Sequence, residues 1–330
     1  MPARKTETRI PANLQASDLG EAVVSADGRC AVVSFITSPL VINRDNVYVV
    51  FVTDAGLAAS VETFEWEFTE GGGSPVTQSA NFGEFTYRPQ VAGSLGVAVR
   101  LLGTGNTELA NLQMSQDIVE PNAELEGMIT GAANDAGPTV PSPDVARELV
   151  NDHNLYYQTV ALQNPESDDA FKSFVFSMVF DGALQRTPER RKQTLDQLAA
   201  SINSQGSDFD TLAAEGAGVC GIRLALLGMV FGNPGPALPW TELPDQTSPR
   251  AAADEELRQN LAALDENARI DLFNVVRFPK CNITQCGRII ETLRDKYFAG
   301  VNFNDVLTGM SGTRAHWITR HFKEGPINRG

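Results

Sequence analysis

Residues 64–73 read Phe-Glu-Trp-Glu-Phe-Thr-Glu-Gly-Gly-Gly. Phe64, Trp66 and Phe68 fall on one side of an extended chain, and Glu65 and Glu67 fall on the other, because successive strand side chains point to opposite faces. A strand with one apolar and one charged face belongs to a half-buried antiparallel sheet. The three glycines that follow supply the positive-φ positions of a tight turn. Working outward, further short apolar runs lie at Cys30–Ile36, Val47–Val52, Phe85–Tyr87 and Leu95–Leu102. In the last, Val97, Val99 and Leu101 alternate with Ala98 and Arg100, and Gly103-Thr104-Gly105-Asn106 makes the next turn. Strands at this spacing predict an antiparallel β-sandwich over residues 20–116, preceded by a polar extension at 1–19.

A resemblance attaches to these residues. FEWEFTEGG, followed by GEFTYRPQVAGSLGVAVRLL, resembles the core pattern of PKD and related immunoglobulin-like domains over residues 29–116. Trp66 and Phe68 match the W-x-F element, Tyr87 and Gly93 part of the Y-x-x-x-G element, and Val97 and Val99 the last long strand. The glycine-rich acidic turn stands here as Thr69-Glu70-Gly71, and Leu95 takes the place of the tyrosine after the glycine. The resemblance implies a spacer or adhesive module rather than a reaction, and the incomplete acidic turn weakens any calcium role it would bring.

Beyond the strands the style of the chain changes. Residues 117–142 are acidic and then rich in Gly, Ala and Pro, the composition of a linker. Residues 143–330 predict an all-α domain. Ser142-Pro143-Asp144 is a helix start with proline at the first helical position. Further helices are expected over Glu166–Leu184 (Phe171, Phe174, Val175, Met178 and Val179 on one face) and after Thr187-Pro188-Glu189, with Leu195, Leu198 and Ile202 inward. A buried helix is expected at Val219–Phe231, and others at Asp254–Leu264, Asn267–Val276, Arg288–Phe298 and Asn304–Phe322. Residues 232–250 hold five prolines and Trp240 and cannot be regular helix. The fold class is thus a multidomain all-β plus all-α chain.

Composition narrows the partners. The chain has 330 residues, 41 acids, 26 bases and a formal charge of −15, which disfavours nucleic acid and anionic membrane surfaces. The charge is uneven: residues 1–140 carry −10, whereas residues 271–330 carry nine bases and five acids, a net of +4. A basic end of this kind faces either an acidic partner or an acidic neighbour within the assembly. The polar N-terminus has no apolar stretch of the secretory type, and no run has the length of a membrane span, so cytoplasmic synthesis with incorporation into a particle or non-Sec export is expected. The four cysteines Cys30, Cys220, Cys281 and Cys286 read as reduced, with a Cys281–Cys286 bridge left open.

No motif dictates a reaction. Cys220, after a glycine-rich turn and at the start of an apolar helix, could be activated by the helix N-terminus with His316 as base; the competing reading is a small buried hydrophobe. Glu215 could serve as a general acid, with Asp208 and Asp210 merely nearby, or be a solvated loop carboxylate. His316 and His321, five apart, do not share a helix face, and His153 is a polar helix position, so no metal or cofactor is expected. GTGNTE and GGGSP lack the strand–turn–helix setting of a phosphate loop. Recognition candidates are Trp240 on the proline-rich loop and Arg314, Trp317, Arg320 and Lys323 at the basic end. The expected function is therefore a non-enzymatic structural or recognition protein with a protein partner, a homo-oligomer or a larger phage-like or surface particle, the sandwich serving as spacer and the helical domain as docking module. The alternative is a cell-wall or protein hydrolase whose sandwich binds substrate and whose helical domain carries the reaction.

Overall fold

The computed structural model describes residues 4–124, 127, 169–186, 188–203, 216–227, 261–308, 314, 315, 318, 319 and 322. The chain divides into two compact units, Met1–Leu155 with Phe278–Lys280, and Tyr156–Arg277 with Cys281–Gly330. Strands fill the first and helices most of the second.

The first unit opens with a 3-10 turn, Lys5–Glu7, and a short helix α1, Ala16–Leu19. These residues of the polar extension are built into the unit: Leu19 is fully buried and the Glu7 carboxylate accepts the Gly83 N–H at 3.1 Å. Strands β1 (Glu21–Val24), β2 (Cys30–Ser34), β3 (Leu40–Val41) and β4 (Asn46–Val52) follow. Helix α2 (Ala55–Ser60) is capped by Asp54, whose side chain accepts the Leu57 N–H at 2.7 Å. Then come β5 (Thr63–Glu70), β6 (Val76–Ala80), β7 (Glu84–Tyr87), β8 (Gly93–Gly103) and β9 (Thr107–Val119). One sheet has the order β1-β2-β4-β7 and the other β3-β9-β8-β5-β6, the latter curling into a half-barrel. Among the described residues all pairings are antiparallel but one. After β2 the chain crosses at Ser38–Pro39 to the edge of the second sheet, where β3 runs parallel to β9. β9 also extends to Val119, into the stretch read from sequence as linker; most of that stretch lies outside the described residues.

The alternation that opened the sequence is realised at β5. Phe64, Trp66 and Phe68 are buried, and Glu65 lies directly opposite Arg100 of β8, with which it pairs across the strands. The core is aromatic: Trp66 and Phe68 stack with rings 6.1 Å apart, Tyr48 lies 6.2 and 5.7 Å from them, and Phe85 lies 5.8 and 5.3 Å away.

A polar knot joins the two sheets beside this core. Gln116 of β9, buried, accepts the Tyr48 hydroxyl at 2.7 Å. Its amide nitrogen donates to Glu21 at 2.7 Å and to the Ile36 carbonyl at 3.0 Å. Asn46 donates to Ser34 Oγ at 2.7 Å and accepts the Ile36 N–H at 3.1 Å. Burial holds the Tyr48 phenol protonated far into the alkaline range. Tyr48→Phe removes one bond of the knot and should cost about 1 kcal/mol, whereas Gln116→Ala strands several buried groups and should cost about 2–4 kcal/mol. Urea titration of both variants and the double variant measures the coupling; strict additivity would contradict a shared knot.

At the β1–β2 turn, Asp27 accepts the Ser25 hydroxyl at 2.7 Å, the Arg29 N–H at 3.1 Å and Arg29 Nε at 2.5 Å. The Ser25 bond, then those of Arg29, pull its carboxyl down to about 2. A depressed carboxyl steadies the turn above its ordinary pKa of about 3.9 and ceases to do so as pH falls through the folded value. A carboxyl NMR titration of Asp27 should therefore show a midpoint near 2; a midpoint close to the ordinary value would contradict these bonds.

Among its described residues the second unit is mainly helical, with α3 (Asp169–Gln185), α4 (Pro188–Asn203), α5 (Leu224–Leu227), α6 (Glu266–Arg277), α7 (Pro279–Tyr297) and α8 (Phe303–Thr308). Phe171, Phe174, Val175, Met178 and Val179 of α3 are buried as the helical period requires, and the Phe171 ring meets Phe303 at 4.5 Å. α4 starts at Pro188 and buries Leu198 and Ile202. Three expectations fail. The unit contains a β-hairpin, β10 (Gly216–Ala217) and β11 (Ile222–Arg223), so it is not purely helical, and the helix expected over Val219–Phe231 is, among the described residues, only Leu224–Leu227. Gly218 and Gly221, at φ 72° and 62°, turn the chain back where the apolar run alone reads as helix. α7 begins at Pro279, well before the expected Arg288. Among the described residues no helix is long and apolar enough to cross a membrane.

Candidate functional site

Among the described residues of the second unit, several polar and thiol groups surround the β10–β11 hairpin. Its turn, Gly218–Gly221, closes with the Gly221 N–H donating to the Gly218 carbonyl at 3.2 Å. Asn282 of α7, buried, grips the turn from one side. Its side-chain oxygen accepts the Cys220 N–H at 2.9 Å and its nitrogen donates to the Ala217 carbonyl at 3.3 Å. Arg186, just past α3, donates to the Gly216 carbonyl. Gly182 of α3 packs so closely that a Cβ there would lie 2.8 Å from the Val219 carbonyl oxygen. Val219, Cys220 and Ile222 are buried, as are Leu224, Leu226 and Leu227 beyond them.

Cys220 is therefore a buried thiol in a hairpin turn, not a residue at a helix N-terminus. Burial pushes its thiol up, and its hydrogen bond with the Cys286 thiol pushes the same way. This is the opposite of an activated nucleophile, which needs a lowered pKa and access. Iodoacetamide at mildly alkaline pH should label Cys220 only as the unit unfolds, at least about a hundredfold slower than an exposed thiol; rapid labelling of the native protein would reverse this assignment. Cys281 and Cys286 both sit on the unbroken helix α7. Five residues at about 100° each set them roughly 140° apart, so they do not face each other.

Arg314 is half-buried with its guanidinium 5.9 Å over the Phe298 ring, a cation–π contact inside the unit. The other sequence candidates, Glu215, His316, Trp240, Trp317, Arg320 and Lys323, lie outside the described residues, as do His153, Asp208, Asp210 and His321. Among the described residues no three His, Cys, Asp or Glu side chains come together as a metal site would need. Along α4 an open hollow is lined by Glu189, Lys192, Gln193, Asp196, Gln197 and Ala200, one exposed helix face on which Lys192 and Asp196 pair at 2.6 Å. Such a solvated face has no converging groups for a reaction.

The first unit presents a different feature, which the sequence did not mark. β6 is the edge strand of its sheet, and Val76, Thr77, Gln78 and Ser79 are exposed. Among the described residues nothing pairs with its outer side. The strand carries no charge, and Pro75 precedes it. Edges are ordinarily blunted by a lysine, an inward charge or a proline within the strand; β6 has none within its own span. No family model, curated protein or solved structure matches the chain.

Proposed function

We propose that this is a non-enzymatic structural or recognition protein, a component of a larger assembly, with an immunoglobulin- or PKD-like sandwich as spacer or adhesive module and the helical part as docking module. The observation that carries the reading is the open, uncharged edge of β6. An extended segment of a partner protein can add to such an edge through main-chain hydrogen bonds. The acidic charge of residues 1–140 favours a partner strand flanked by basic residues over a second copy of the same surface.

The sandwich reading is supported by topology. β2, β4 and β7 are neighbours in one sheet; β9, β8 and β5 are neighbours in the other; β3 switches sheets to lie beside β9; and a buried tryptophan sits on β5. Interleaved strands around a buried tryptophan are the arrangement of immunoglobulin-like modules. The rival reading, a hydrolase, is weakened by the sealed thiol of Cys220.

Sedimentation of extract from the native source, followed by detection of the chain, tests the proposal. Recovery in a high-mass particle, lost when Ser79→Pro removes an outward backbone donor of β6 and when Thr77→Arg charges the edge, is the expected result. A chain that sediments as a lone monomer, or a particle indifferent to both edge variants, would overturn the assignment of the edge.

A further inference from the structure

We propose that Cys220 and Cys286 are a disulfide-forming pair, a modification site that, on oxidation by a small-molecule disulfide, ties the β10–β11 hairpin to α7. The inference does not rest on the reading of function above.

Three observations place the two sulfurs together. Asn282 and Cys286 are four residues apart on α7 and so share one helix face. Asn282 holds the backbone of Cys220 by the 2.9 Å bond to its N–H, which fixes Cys220 one helical turn from Cys286. The two thiols are in hydrogen-bonding contact, and both side chains are buried, Cys286 completely. The close seat of the hairpin depends on Gly218, where a Cβ would fall 2.4 Å from the Asn282 side-chain nitrogen. Two thiols that hydrogen-bond across a hairpin and a helix are neighbours of the kind a disulfide joins. Cys281 is excluded by its place on the far side of α7, and Cys30 belongs to the first unit.

The chemistry balances as two exchanges. One cysteine thiolate attacks a sulfur of the small disulfide, forming a mixed disulfide and releasing one small thiolate that takes up the cysteine's proton. The second cysteine, as thiolate, then attacks the protein sulfur of the mixed disulfide, forming the Cys220–Cys286 bond and releasing the second small thiol. The two cysteines lose two electrons and two protons in all, and the small disulfide gains them. Because the thiols are buried and Cys220 resists ionisation, exchange runs through opened or folding states rather than at the closed surface. The bond closes a loop of roughly 65 residues, long enough for cross-linking to restrict the unfolded chain strongly.

The test refolds the reduced full chain from denaturant in a mixture of oxidised and reduced glutathione, traps free thiols with an alkylating agent, and maps the unreduced digest by mass spectrometry. A chain lighter by two hydrogens, with the Cys220 and Cys286 peptides joined, is expected. Cys220→Ser and Cys286→Ser should each abolish the bond, Cys30→Ser should retain it, and the oxidised protein should melt at a higher temperature until reductant is added. A Cys281–Cys286 linkage, a bond to Cys30, glutathione adducts without an internal bond, or four free thiols would each overturn the assignment. The wild-type map decides among these outcomes even where a serine variant fails to fold.

Discussion

Trp66→Ala should lower the stability of the first unit by about 3–5 kcal/mol, the largest effect expected from a single truncation in that core. Trp66 has no exposed surface, and its ring touches partners from both sheets: Tyr48 on one, Phe68 on its own strand, and Phe85 on β7. Deleting the indole removes the transfer free energy of a large apolar group and leaves a cavity between two sheets that cannot both collapse inward. Set against a typical domain stability of about 5–15 kcal/mol, the loss consumes much of the margin. Because the chain has two units, the measurement should follow the β signal of the first by circular dichroism through a urea titration rather than treat the whole chain as two-state. Val76→Ala, at an exposed strand position, is the control and should shift the midpoint by less than about 0.5 kcal/mol. Equal midpoints for the tryptophan variant and the control would mean that the aromatic stack is not the core of the unit.

Gly218→Ala should be the most damaging small change in the second unit. Its backbone lies at φ 72°, where an L side chain costs about 1–2 kcal/mol. A Cβ there would also fall 2.3 Å from the Val276 carbonyl oxygen and 2.4 Å from the Asn282 side-chain nitrogen, so the hairpin must lift or both hydrogen bonds from Asn282 must break. The combined cost should exceed about 3 kcal/mol, since a buried amide left without partners adds about 1–3 kcal/mol to the backbone strain. Gly105→Ala isolates the first part: its φ is 69° and a Cβ there meets open space. It should cost only the conformational part, about 1 kcal/mol. Thermal melts of the two variants measure the difference, and similar losses would remove the close packing of the hairpin from the account.

The contrast between these two sites explains what could be read in advance. Phe64, Trp66 and Phe68 were legible because they alternate with Glu65 and Glu67, and period two survives intact through the middle of β5. β6 was not, because Val76, Thr77, Gln78 and Ser79 all face solvent and burial imposes no alternation on them. β9 reads less clearly than it folds, since Gln116 takes an inward position beside Leu112, Met114 and Ile118; its polarity breaks the pattern and is satisfied by partners distant in sequence, Tyr48, Glu21 and the Ile36 carbonyl among them. The same reason hid the first half of α7. Asn282 and Gln285 are polar yet buried there, and Asn282 is inward because a hairpin 62 or more positions away in the chain uses its amide. Cys220 was misplaced for the complementary reason: Gly-Val-Cys-Gly-Ile-Arg-Leu-Ala-Leu-Leu is apolar enough for a buried helix, and only the three-dimensional approach of α3 and α7 makes its glycines turn. Local pattern thus carried the strands with one wet face, while positions whose partners are remote in sequence were beyond it.

The open edge of β6 has a colloidal consequence. It belongs to a stretch of chain, residues 1–140, with a net charge of −10, so two copies approaching edge to edge bring like charge toward like charge. At an ionic strength of about 0.1 M that repulsion reaches roughly 10 Å, farther than the hydrogen bonds that would join the strands. Diffuse charge on the rest of the surface thereby does at a distance what a lysine within the strand would do on contact, and added salt removes the guard without altering a single contact of the fold.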